Sequence, residues 1–503
     1  MLETKRAFTV FLLITLFIKL VIAFTLPFTT DEAYFYIWGL KPDFGYYDHP
    51  PMVGWMFWLL QQVSHEPGWM RMPSVLLTTF IGWAIYRLVA IKNPQMGILA
   101  GILYLAMPVN LYAVLVSTDT TLIFWMFVSV VAFYFAVERE SRVWFAVSGL
   151  FLGLAVLSKY FSALLGFSYL IYFLVFERNK SGFIKLFIVY LMTLPALAIN
   201  IGWNYDHCWT NYLFNFVNRH DRSSGFSLLT FGGYLLMWVY LLVPPVIYYL
   251  YKRRKEIFAL RNTPERVFLI AYFVPISIFL ALSLFKVIGL HWVLGFYPFI
   301  FVLMGLVLDK TQLKNSIKVT VAVSIIHVIF FAALITYPLP VVKYLTGDRY
   351  YSSVVLGTHP EVFLDAIKQY RGKYTLATVS YSVAAVMTYH AGENVSVLGM
   401  GSSHARHDDI VTDFRTLDGK NILVFYEHKN SLENLADMFD SVRYEEVHIE
   451  GATFYVMLGD GFNYPKYRAK FLEAIKKYYQ IPKILPKGDC YFYQRYFPDE
   501  KYK

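Results

Sequence analysis

Over the first two thirds of the chain, long apolar runs alternate with short polar joints. The runs lie near residues 8–28, 69–90, 96–116, 120–137, 143–158, 160–176, 183–203, 229–251, 267–285, 291–308 and 318–337. A bilayer needs roughly 17–25 predominantly apolar residues per crossing helix, and these eleven runs meet or approach that length. The run at 52–63, MVGWMFWLLQQV, is too short and reads as an interfacial helix lying along the membrane. After Tyr337 the pattern shortens and changes type. KYTLATV (373–379), NVSVLG (394–399), NILVFY (421–426) and ATFYVML (452–458) read as strands; YSVAAVMTYHAG (381–392), SLENLADMF (431–439) and the basic stretch 464–479 read as helices. The expected fold is a polytopic α-helical membrane protein of about eleven transmembrane helices in residues 1–336, followed by an α/β domain in residues 337–503.

Composition supports this class: of 503 residues 57% are hydrophobic and only 16% charged, which excludes an ordinary soluble enzyme. The charges then orient the spans. With a cytoplasmic N-terminus, eighteen basic residues fall at cytoplasmic ends and loops, among them Lys5, Arg6 and the run Lys252–Lys255. Only six (Lys41, Arg71, Lys159, Arg219, Arg222 and Lys286) fall on the opposite side before residue 337. That is a positive-inside bias, and it places the tail outside the cytoplasm. The basic excess therefore reports topology and does not argue for a nucleic-acid partner. Lys5 and Arg6 precede the first run and no A-x-A site follows it, so it reads as an uncleaved span. Lys19, inside that span, reads as a snorkelling or internally paired lysine. The two cysteines, Cys208 and Cys490, both fall on the outer side, where they can either pair or remain thiols.

The polar chemistry collects in the outer loops. Thr29–Pro51 carries Asp31, Glu32, Asp43, Asp48 and His49 among seven aromatic rings. Ionisable groups at the edge of hydrocarbon are costly and usually face a cavity. Asp119 opens the fourth run, where it suits either a helix cap or a site. Lys159, between the fifth and sixth runs, reads equally as a phosphate ligand or a snorkelling anchor. The loop 204–228 holds Asp206, His207, Arg219, His220, Asp221 and Arg222, a pattern most often found in a solvated loop. Lys286 and His291-Trp292 read first as interfacial anchors. A P-loop, a GxGxxG turn, GxSxG and HExxH are all missing from the sequence, so no nucleotide cofactor is expected. An enzyme working outside the cytoplasm would instead take a lipid-carried substrate.

DEAYFYIWGL followed by GYYDHPPMVGW resembles the first outer loop of prokaryotic family-39-type glycosyltransferases, the protein O-mannosyltransferase-like and aminoarabinose-transferase-like enzymes of the GT-C membrane fold. The likeness continues through STDTTL, LSKYFSALLG and HWVLGFYPF and is loose in the tail. It implies transfer of a sugar from a polyprenyl-phosphate donor to a lipid, glycan or protein acceptor on the periplasmic face of the inner membrane. By the same likeness Asp31 matches the catalytic aspartate, Glu32 its acidic neighbour and Asp48 a second acid. In aminoarabinose transferases that second acid helps hold a divalent metal, with His220 at the place of an assisting histidine. Lys159 resembles a lysine on the carrier phosphate; Asp119, His49 and His291 are supporting positions. Independently of the likeness, a leaving phosphate needs cations, and Lys159 with Arg219 or Arg222 can supply them. Two departures leave the sugar open: Ala33-Tyr34 stand where aminoarabinose transferases have Thr-Arg, and Asp48-His49 where they have Glu-Lys. A transporter or flippase of lipid-linked sugars is the alternative class. Against it, the chain shows no inverted repeat and no pair of interrupted helices in matching halves.

Overall fold

All eleven apolar runs are helical in the computed structural model, which describes residues 4–218, 225–402 and 406–500. Helix is what an apolar sequence must form in lipid, where every backbone N–H and C=O has to be satisfied within the segment. Five described helices are long and apolar enough to cross a membrane: Lys5–Thr25, Pro67–Ala90, Thr118–Glu138, Lys180–Asp206 and Lys310–Thr336. Leu228–Leu242 and Pro244–Lys252 make a sixth if taken as one span bent by 96°. Pro244 supplies no backbone donor at that break, and Val243 before it sits at φ 54°. The other apolar helices are shorter, for example Pro94–Leu105, which stops just before Pro108. The number eleven therefore holds for helical runs but not for helices of full spanning length, because prolines and turns divide several of them.

The chain forms two compact units, and neither is one continuous stretch. The first comprises Met1–Leu26, Ser64–Ile199 and Arg222–Ala332. Its helices approach closely at glycines. A Cβ on Gly97 would lie 2.5 Å from the Tyr86 carbonyl oxygen, and one on Gly101 2.8 Å from that of Gly82. Small residues at this spacing let two backbones meet where lipid provides no hydrophobic driving force between helices. Polar side chains inside this unit are matched internally. Lys19 Nζ donates to Thr78 Oγ1 (3.0 Å) and Thr79 Oγ1 (2.7 Å), so the buried lysine is internally paired. Arg71 is fully enclosed and its Nη1 donates to the carbonyls of Ala23 (2.9 Å) and Leu26 (2.8 Å) at the end of the first helix. A cation on the last carbonyls of a helix stabilises that terminus.

The second unit comprises Pro27–Val63, Asn200–Asp221 and Ala333–Lys503. Its last stretch begins at Ala333, and the loop within Pro27–Val63 and the segment from Asn200 belong with that tail. One covalent reason is a Cys208–Cys490 disulfide. The tail contains a five-stranded sheet with strand order β2-β1-β3-β5-β4. The strands are β1 Thr375–Thr378, β2 Ser396–Val397, β3 Ile422–Tyr426, β4 Phe439–Ile449 and β5 Ala452–Phe462. β1 runs parallel to both β2 and β3, the β1–β2 crossover being the helix Tyr381–Ala391; β5 is antiparallel to β3 and β4. The expected helix 431–439 is only Lys429–Glu433 plus a 3-10 turn, after which the chain enters β4. β4 is an edge strand, exposed along most of its length, so hydrophobicity does not announce it. The expected final helix 464–479 is a succession of α, π and 3-10 turns.

Candidate functional site

The loop after the first apolar helix opens with a capping box. Thr29 Oγ1 accepts from the Glu32 amide (3.3 Å), and Glu32 Oε2 accepts from the Thr29 amide (3.1 Å) and hydroxyl (2.9 Å). This starts the helix Thr30–Leu40 and gives the fully buried Glu32 a structural task. Asp31, one residue earlier, is solvent-exposed. The protein around it and the adjacent Glu32 carboxylate raise its pKa above the usual aspartate value.

Asp48 is carried on a turn built from aromatic packing. Tyr46 stacks on Trp38 at 4.3 Å, and its hydroxyl donates to the Trp38 carbonyl at 3.1 Å. Gly54 has to be glycine here, since a Cβ would come within 2.1 Å of the Tyr46 hydroxyl oxygen. The segment after Cys208 holds the same turn from outside: Asn211 Nδ2 donates to the Tyr46 carbonyl and Asn215 Nδ2 to the Asp48 carbonyl, both at 2.9 Å. Asp48 is buried and its Oδ1 accepts from the Tyr34 hydroxyl at 3.3 Å. His49 is half-buried, its ring 6.1 Å from Trp38.

The tail brings further groups to this loop, and local sequence pattern did not reveal them. Helix Tyr381–Ala391 packs on helix Thr30–Leu40, with the Tyr381 ring edge-on to Tyr34 at 5.5 Å and Tyr389 against Tyr36 at 5.0 Å. Tyr381 is half-buried, and its pKa is pushed up to about 12, chiefly by burial and then by Asp31 and Asp48. Asp408 also acts on Tyr34; burial and Asp409 raise its own carboxyl to about 7, with Arg406 opposing. Arg406 and Asp409 form a buried ion pair (2.7 Å) that holds this segment. His407 packs on Tyr46 at 5.2 Å, and burial lowers its ring to about 3, keeping it neutral.

Asp119 and Lys159 meet in the first unit. Lys159 Nζ donates to both Asp119 oxygens, at 2.9 and 2.8 Å, and both residues are buried. The cap of helix Thr118–Glu138 is Ser117, so Asp119 is the ion-pair partner and not the cap. Lys159, read from the sequence as a phosphate ligand or a snorkelling anchor, is thus paired with a carboxylate. His291 is exposed on the short helix Leu290–Val293. Arg219, His220 and Arg222 lie outside the described residues. Of the pair considered for a metal, only Asp48 is described, and among the described residues no three His, Cys, Asp or Glu side chains gather to hold one.

Comparison with known proteins agrees with the resemblance noted from the sequence. Residues 48–204 match the family model described as dolichyl-phosphate-mannose-protein mannosyltransferase. A lipid A galacturonosyltransferase, RgtD of Rhizobium johnstonii, is 26% identical over 184 residues, covering 36% of this chain and 39% of that protein. The match therefore spans well under half of the curated relative. Two structures of ArnT from Cupriavidus metallidurans, one apo and one bound to undecaprenyl phosphate, each superpose with a TM-score of 0.61 over 89% of this chain and 97% of theirs, at 17% and 15% identity. The chain has the GT-C fold of ArnT.

Proposed function

We propose that this chain is a membrane glycosyltransferase that moves a sugar from a polyprenyl-phosphate donor to a lipid acceptor at the periplasmic face of the inner membrane. The observation that carries the reading is the buried Asp48 accepting from Tyr34, which packs on Tyr381, in the same loop as Asp31 and in a chain with the ArnT fold. The relative named for lipid A and the ArnT structure holding undecaprenyl phosphate support the acceptor and the carrier.

The acceptor oxygen attacks the anomeric carbon as the bond to the carrier phosphate breaks. The phosphate leaves with the bonding pair, so no general acid is required. The sugar passes through an oxocarbenium-like state, and direct attack inverts the centre. What remains is to take the acceptor proton and orient the sugar. Asp31 is the better base: it reaches solvent, and its raised pKa brings its proton affinity closer to neutral pH. Asp48, buried and held by Tyr34, is the better orienting group. The resemblance assigns the carrier phosphate to Lys159, which comes to that task with Asp119 as its partner; the need for cations on the leaving phosphate adds Arg219 or Arg222.

Purified protein in liposomes, given galacturonosyl-, aminoarabinosyl-, mannosyl- or glucosyl-phosphoundecaprenol with lipid A, should yield a mass-shifted acceptor with one of these donors. Donor movement across the vesicle membrane with no transfer would overturn the reading in favour of a transporter.

A further inference from the structure

Tyr381 lies about 350 residues from the loop acids in sequence, yet its hydroxyl sits within the fields of Asp31 and Asp48. Its ring is fixed against Tyr34. The Tyr34 hydroxyl is engaged with Asp48, whereas the Tyr381 hydroxyl has no hydrogen-bond partner among the described residues, and Tyr381 as a residue is half-buried. An ionised carboxylate only accepts hydrogen bonds, whereas a sugar hydroxyl offers one proton and two lone pairs. A site made of carboxylates alone would satisfy the proton and leave the lone pairs without a donor. We propose that Tyr381 is a substrate-contacting residue: its hydroxyl donates to a sugar oxygen whose own proton is accepted by Asp48 or Asp31. This makes the tail a contributor to substrate recognition and deepens the glycosyltransferase reading, on which it rests.

Tyr381→Phe removes one oxygen and keeps the ring against Tyr34. The variant should insert, keep its disulfide, melt with the wild type and bind undecaprenyl phosphate equally well. With the active donor its kcat/KM should fall about tenfold, the scale of one lost hydrogen bond. Tyr374→Phe, which removes a tail hydroxyl bonded instead to Asp460, should leave transfer unchanged. Donors made deoxy at one sugar position at a time supply the second readout. At one position the deletion should lower the wild type to the level of Tyr381→Phe and leave the variant unaffected. Tyr381→Phe transferring within twofold of wild type would overturn the proposal and leave the glycosyltransferase reading standing. So would deoxy donors that lower both proteins equally at every position. A wild type inactive with all donors would overturn both.

Discussion

Asp31→Asn separates the proposed chemistry from folding, because the proposed base and the helix cap are different side chains. The cap of helix Thr30–Leu40 is made by Thr29 and Glu32, and Asp31 takes no part in it. Asparagine keeps the shape and removes the charge. The fold loses only an exposed carboxylate's interaction with a helix N-terminus, about 0.3–1 kcal/mol. Loss of a general base costs a factor of about 10²–10⁴ in rate, or about 2.7–5.4 kcal/mol at about 1.36 kcal/mol per tenfold. The catalytic effect therefore exceeds the structural one by a wide margin. Mass-spectrometric transfer assays at saturating donor should show at least a hundredfold loss, with expression, melting and carrier binding retained. The pH profile adds a check. A base must be ionised, so wild-type transfer should fall as pH drops through the Asp31 pKa. The protein around Asp31 and the Glu32 carboxylate raise that pKa, so the acid limb should lie above the ordinary aspartate range. The residual activity of Asp31→Asn should lack this limb. Asp43→Asn, in the same loop, should stay near wild type, and Glu32→Gln, which can still close the capping box, should remain folded and active. Near-normal transfer by Asp31→Asn would refute the assignment and make Asp48 the next residue to test.

Two further outcomes follow from the geometry and a third from the charge bias. Asp119→Ala leaves the buried Lys159 ammonium without its carboxylate and should destabilise the protein by about 3–5 kcal/mol, read as a lowered melting temperature; Asp119→Leu combined with Lys159→Met should recover part of that loss. Non-reducing peptide mapping should recover Cys208 and Cys490 in one linked peptide, and replacing both by serine should cost about 2–4 kcal/mol, whereas free thiols on both in protein isolated without reductant would contradict the bond. A reporter active only outside the cytoplasm, fused after Lys503, should be active; an inactive one, with a cytoplasmic reporter active at the same point, would contradict the proposed orientation.

Hydrophobic pattern alone located the helical runs and the strands β1, β2, β3 and β5, because burial in lipid or in a sheet core demands apolar residues at known spacing. It missed β4, since an edge strand facing water carries polar residues like any loop. It singled out Asp31, Asp48, Asp119 and Lys159 as unusual polar positions but not how they are joined. The Asp119–Lys159 pair and the capping role of Glu32 are matters of side-chain geometry, and spacing along the chain left both open. Tyr381, Asp408 and the Cys208–Cys490 bond belong to contacts between segments hundreds of residues apart. Local propensity acts over a few residues, whereas packing brings distant ones together. The sequence by itself therefore determined the class of protein and the first loop's acids, and only the tertiary structure decided which tail residues meet them.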